Sequence, residues 1–193
     1  MKKVEIVLRS IVLASAVLFF AACKDKKETD TKEVATEQND DKFDANDNKE
    51  DDSEFLVAAA ETHLMEIEVG KLAQSKGTAQ GVKDFGKMLV ADHTKAAADT
   101  KSFAEKLSVS LPASITEKGQ EHYNELNEQA KGKDFDRKFA DMMVKDHEEA
   151  IEKMEKAADD ANDPEVRAWA AGMVPTLKMH LEHAKTLHDE VNQ

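Results

Sequence analysis

Phe85-Gly-Lys-Met-Leu-Val-Ala-Asp-His93 is echoed 54 residues later by Phe139-Ala-Asp-Met-Met-Val-Lys-Asp-His147. Within each copy an aromatic, an aliphatic or sulfur-bearing side chain and a histidine recur every four residues: Phe85, Leu89, His93, then Phe139, Met143, His147. That spacing puts them on one stripe of a helix. Ala96 and Ala150 extend both stripes, and a weaker third echo runs through Val166, Trp169 and Met173-Val174. Two similar helical units with an extra segment between them describe an all-α, ferritin-like four-helix bundle with a short additional crossover helix. A solenoid of helix pairs is the alternative topology, but two units are too few for a stable stack.

Working outward, apolar residues keep three- and four-residue spacing nearly everywhere, and no segment alternates as a strand would. The first long helix is expected from about Ser53 to Lys76, with Gly77 in its C-terminal turn and Thr78 as the next N-cap. The second runs from about Ala79 to Leu107, before Leu111-Pro112. Ser114-Ile-Thr-Glu117 has capping-box spacing and opens a shorter helix to about Ala130, stopped by Gly132. The next spans about Asp134 to Asp160. Asp163-Pro164 then places an N-cap before a proline at the first helical position, starting a last helix to about Val191.

The N-terminus reads differently. Lys2, Lys3 and Arg9 precede a mostly apolar run from Ile11 to Ala22, and Phe20-Ala21-Ala22-Cys23 ends it. A basic start, a short apolar stretch and a small-residue cleavage site form a secretory signal over residues 1–22. The run is too short for the ~20 residues of a spanning helix. Cys23, the only cysteine, stands where a bacterial lipoprotein is cut and acylated. The expected location is therefore the bacterial cell envelope, lipid-anchored through acylated Cys23. Lys24 after the cysteine favours the outer membrane, facing the periplasm.

Residues 23–53 are expected to be a disordered acidic tether. Only Val34, Ala35, Phe43 and Ala45 are apolar in Lys24–Ser53, and 12 acids face 6 bases. Such a stretch lacks the apolar surface to offset its conformational entropy, and as a flexible chain it would reach about 30 Å. Residues 54–193 then form the one domain. The whole chain carries a net charge of −13, of which +2 falls on the signal and −6 on the tether, leaving −9 for the domain. A surface this acidic excludes nucleic acid and anionic lipid as electrostatic partners. An envelope protein partner is the remaining macromolecular expectation, and without a second cysteine no internal disulfide staples the fold.

Several stretches together resemble the DUF4142 family: Phe55 with Glu66-Ile-Glu68-Val-Gly-Lys-Leu-Ala73, Met88 to His93, Leu111-Pro112, Phe135 with Met143 to His147, and Pro175-Thr-Leu177 with His180-Leu181. The resemblance covers about Ser53 to Leu187. It implies a ferritin-like bundle in the bacterial envelope and brings no assigned reaction. His63 departs from the family pattern, which has a small or polar residue there.

Height along the bundle singles out a group of polar residues. His63 and His93 lie about equally far from the first hairpin turn near Thr78, at 1.5 Å rise per residue. His147 reaches the same level if the crossover returns the chain to the same end, and His180 is again near mid-bundle. Glu66 is one turn from His63. Glu66, His93, His147 and His180 are thus candidate metal ligands, each on a different long helix, with Asp92 and Asp146 as candidates to orient them.

Ferritin-type di-metal sites use Glu-x-x-His pairs, and none of the seven histidines has a glutamate three residues before it. A single zinc, copper or iron ion held by histidine and carboxylate is the chemistry left open. The competing reading is structural: a buried polar layer that fixes which helices meet, as polar residues do in coiled coils. No nucleophile elbow, second cysteine or glycine-rich phosphate loop is present, so no catalytic residue is assigned. Two functions follow. The first is a membrane-anchored envelope lipoprotein whose bundle is a structural or interaction module with no cofactor. The alternative is a metal-binding or redox-active ferritin-like protein with a mid-bundle His/Glu site.

Overall fold

A computed structural model describes residues 29–193. The signal segment 1–22 and Cys23 lie outside the described residues. Six helices follow in order: α1 (Thr31–Phe43), α2 (Asp47–Lys76), α3 (Gln80–Leu107), α4 (Glu117–Asn127), α5 (Lys133–Asp160) and α6 (Pro164–Val191). The all-α expectation holds. The four long helices each have 28 to 30 residues. Among the described residues no helix is long and apolar enough to cross a membrane.

Chain direction follows from two buried aspartates. Asp136, in the first turn of α5, accepts hydrogen bonds from the amides of Thr78 and Ala79 in the α2–α3 turn, at 2.9 and 2.8 Å. Asp52, in the early part of α2, accepts from the amides of Asn162 and Asp163 in the α5–α6 turn, both at 2.7 Å. Each hairpin turn is therefore capped by a carboxylate from the other hairpin. Hydrogen bonds to a charged group contribute roughly 1.5–3 kcal/mol, and the backbone donors at a helix N-terminus favour the negative charge. α3 and α5 both start at the Thr78 end and run parallel, while α2 and α6 run the other way. The segment 108–132, carrying α4 against α2, brings the chain back along the bundle. This is the single-crossover, ferritin-like connection.

Local signals explain most helix ends. Asp163 caps α6 through the amides of Glu165 and Val166, and Thr116, rather than Ser114, caps α4 through Gly119. Thr78 is not the cap of α3: its hydroxyl and amide are taken by Asp136. Close approach matters at one crossing. A Cβ on Gly70 would lie 2.8 Å from the Gly86 carbonyl oxygen, and one on Gly86 would lie 2.7 Å from that of Gly70. Only glycine lets α2 and α3 come this near.

The expected disorder of the tether, residues 23–53, needs correction from Thr31 onward; residues 23–28 lie outside the described residues. Residues 31–43 form α1, and α2 already begins at Asp47. Ala35, Asn39 and Phe43 give α1 a buried edge against the bundle. Asn39 makes two bonds to the backbone of Ser110, accepting from its amide at 2.7 Å and donating to its carbonyl at 2.9 Å. Asp30 caps α1 through the amide of Lys32, and Lys32 pairs with Glu61 at 2.7 Å. Three docking residues and a set of polar bonds to the crossover replace the missing apolar stripe.

The core divides in two. One cluster, including Val69, Leu72, Phe85, Leu89, Phe135, Phe139 and Leu187, fills the Thr78 end. A second, with Ala59, Ile151, Met154, Ala170 and Leu177, fills the Asp163 end. The buried histidines lie between them.

Candidate metal centre

His63 on α2, His93 on α3, His147 on α5 and His180 on α6 are all at most 2% exposed. Each interrupts an apolar stripe at the same depth: His93 between Leu89 and Ala96, His147 between Met143 and Ile151, His180 between Leu177 and Ala184. The rings touch across the helices. Centroids are 5.3 Å apart for His63–His93 and for His147–His180, and 5.8 Å for His93–His180. Phe85 covers the layer on one side, 6.0 and 6.1 Å from His147 and His180. Trp169 covers His63 at 6.4 Å.

Hydrogen bonds fix which ring nitrogens carry protons. His147 Nδ1 is 2.9 Å from the carbonyl oxygen of Met143, which can only accept, so Nδ1–H donates and Nε2 keeps its lone pair. His180 Nε2 is 2.9 Å from Asp92 Oδ2 and donates to it, so Nδ1 keeps the lone pair. Those two bare nitrogens face each other at 3.3 Å. His93 Nδ1 is 3.1 Å from His63 Nδ1, one donating to the other, and His93 Nε2 has no hydrogen-bond partner. One nitrogen each of His93, His147 and His180 lies within 4.8 Å of the others, a grouping that could hold a metal ion.

Burial keeps these rings neutral. Desolvation lowers His63 to about 4 and, with a smaller effect from His180, His147 to about 4. It pushes His93 well below the usual imidazole value, helped by the other three histidines. His180 is lowered by burial while Asp92 pulls the other way. Neutral imidazoles with oriented lone pairs are what zinc, copper or iron take as ligands. A carboxylate holding the far nitrogen of one, as Asp92 holds His180, is the usual supporting contact in metal sites.

Of the residues singled out from sequence, the structure brings together His93, His147, His180 and Asp92. Two carboxylates fall elsewhere. Glu66 is 1% exposed but is not part of the three-imidazole group. It lies under the field of Asp146, and desolvation together with that charge raises its pKa well above the ordinary carboxyl value. Asp146 does not hold a ring of the layer. One residue before His147, it turns about 100° around α5 toward α4, where its Oδ2 is 3.5 Å from His122 Nδ1. Burial beside His63 was legible from height alone. His122, on the crossover helix, carried no sequence signal of its own.

Fold and layer together define a ferritin-like helical bundle with an imidazole-lined interior. The chain belongs to the DUF4142 family, a domain of unknown function, whose model matches residues 34–187. That match includes most of α1, in keeping with its docking on the bundle. A solved structure described as CopM in the Cu(II)-bound form superposes with a TM-score of 0.61 over 72% of this chain and 96% of its own, at 16% identity. At that identity the likeness is one of fold. No curated protein matches the sequence.

Proposed function

We propose that this protein is a metal-binding bundle in which His93, His147 and His180 hold a single transition-metal ion, copper or zinc before iron. The observation that carries the reading is the 3.3 Å contact between His147 Nε2 and His180 Nδ1. With their other nitrogens committed to Met143 and Asp92, both present lone pairs, and burial disfavours a proton between them. A cation removes that repulsion. An all-imidazole set suits copper and zinc, whereas iron sites of this fold use carboxylates as well. The Cu(II) named for the structural neighbour is consistent with this choice.

A purely structural layer, the first expectation from sequence, accounts for the His180–Asp92 bond between α6 and α3. It does not account for two facing lone pairs and an unpartnered His93 Nε2. Metal should therefore stabilise the fold by mass action, about 2.7 kcal/mol at 100 times the dissociation constant. Thermal melts with and without Cu(II) or Zn(II) test this. Wild type should melt at higher temperature with metal and His147→Phe should not respond. An equal response in both would refute the site.

The envelope location belongs to the same proposal and rests on the sequence before Lys24. If Cys23 is the acylated first residue, seven residues separate it from α1. Their extended reach of at most ~3.6 Å each holds the bundle within about 25 Å of the lipid, on a shorter lead than a tether of 30 residues. Metabolic labelling with a palmitate analogue in wild type and Cys23→Ser tests this part separately.

A further inference from the structure

Unpartnered buried polar atoms are not scattered through this bundle. Among the described residues, those without a hydrogen bond are His63 Nε2, Glu66 Oε2, His93 Nε2, Trp169 Nε1, and the pair His122 Nδ1 and Asp146 Oδ2, which face each other at 3.5 Å. Apart from the tryptophan they belong to His122 and Asp146 at a cavity wall, Glu66 under the field of Asp146, His63 one helical turn from Glu66, and His93 paired with His63. The side chains of His122 and Asp146 are 27% and 9% exposed, whereas Glu66, His63 and His93 are buried residues. The other buried polar side chains, such as Asp52, Thr100 and Asp136, all have partners.

The outer end of this series opens on a cavity of about 160 Å³ between α2, α4 and α5. His122 and Asp146 help wall it, with Met65, Gly119 and Glu149. Leaving one buried polar atom unsatisfied costs roughly 1–3 kcal/mol. Glu66 Oε2, His63 Nε2 and His93 Nε2 are three such atoms behind the His122–Asp146 pair at the cavity, and each calls for an occupant such as an ion.

We infer that His122, Asp146 and Glu66 form the entry passage by which a divalent cation reaches the three-histidine site, an inference that rests on that site being a metal centre. A hydrated cation arriving in the cavity meets the Asp146 carboxylate, which can replace water oxygens in its shell. Glu66 offers a second oxygen deeper in, and the softer imidazoles beyond hold the ion more tightly. Lys118, Lys145 and Lys153 also border the cavity, so attraction acts at the inner wall and not across the whole mouth. On the opposite side the half-exposed Asp92 holds His180 through its Oδ2, so that side is the competing route.

Trp169 is the only tryptophan and lies 6.4 Å from His63, so quenching of its fluorescence reports Cu(II) arriving in the core. Stopped-flow mixing of the apo protein with Cu(II) should show Asp146→Asn and His122→Phe loading at least about 10-fold more slowly than wild type. Final occupancy should be unchanged, since neither residue is a ligand. His122 is partly exposed, so its variant carries the test if Asp146→Asn fails to fold. Wild-type loading rates in both variants, or slowing by Asp92→Asn alone, would overturn the passage. Failure of the wild-type protein to bind Cu(II) at all would instead overturn the metal site.

Discussion

His147 Nε2 and His180 Nδ1 face each other at 3.3 Å across the α5–α6 hairpin, each with its other nitrogen already donating a proton. The pairing is a product of register. His147 lies 14 residues before Ala161 at the hairpin turn and His180 lies 17 after Asp163. In the other hairpin His63 and His93 stand at corresponding heights, so two hairpins closing on each other converge four imidazoles.

Asp92 fixes the His180 ring from a half-exposed position, so its loss should affect metal more than folding. Asp92→Asn is expected to weaken Cu(II) or Zn(II) affinity about 10- to 100-fold, the usual effect of removing such a supporting contact. Apo stability should change by under about 1 kcal/mol, because the amide oxygen of asparagine can still accept from His180 Nε2–H. Calorimetric titration beside urea unfolding separates the two. Equal losses in both would mean Asp92 serves the fold alone.

Acid should destabilise the apo protein in a definite window. His63 and His147 titrate near 4 in the fold, against about 6.5 in an unfolded chain. Between those values the unfolded state binds more protons. Their stabilisation is therefore complete above about pH 6.5 and is lost as pH falls toward 4, by up to about 1.4 kcal/mol per pH unit for each group. His93 and His180 are shifted in the same direction.

Glu66 acts in the opposite sense. Its raised pKa means the folded state keeps a proton that the unfolded chain releases above about 4.5, so its contribution is lost as pH rises. Glu66→Gln should thus raise stability at pH 7.5 and leave a steeper loss on acidification. Urea midpoints in chelator at pH 7.5, 6 and 5 check both signs, and a flat profile would contradict them.

Gly86→Ala should destabilise the α2–α3 hairpin, because the new methyl would sit 2.7 Å from the Gly70 carbonyl oxygen and 2.8 Å from Ala73 Cβ. Overpacking of this kind costs about 1–3 kcal/mol. A denaturation midpoint equal to wild type would show that the helices can separate freely here.

Much of this architecture is legible in the sequence. The repeat through Phe85–His93 and Phe139–His147, with an extra segment between the copies, points to two hairpins joined by one crossover, the connection in which α3 and α5 run parallel. Asp163-Pro164 marked the start of α6 by local chemistry alone. The docking of α1 was not legible: Ala35 and Phe43 are too few to form a pattern, and the bonds of Asn39 go to Ser110, 71 residues away. Depth along a helix predicted which histidines share a level, but not azimuth. Hence Asp92 does hold a ring of the layer, that of His180, while Asp146 turns toward His122 on α4 and Glu66 stays outside the three-imidazole group.

Docking of α1 has its own test. Amides from about Ala35 to Phe43 should be protected from hydrogen exchange, and Asn39→Ala should abolish that protection while costing about 1–3 kcal/mol for the Ser110 groups left unpaired. Free exchange of this segment in the wild-type protein would restore the picture of a disordered tether.

The central claim is best tested by the metal content of tag-free protein, purified without chelator and then dialysed against Cu(II) or Zn(II). The account predicts one tightly held ion per chain, with nitrogen ligation in the Cu(II) paramagnetic resonance spectrum that disappears in His93→Phe, His147→Phe or His180→Phe. A protein that takes up no ion, or one whose spectrum is unaltered by these substitutions, would contradict it.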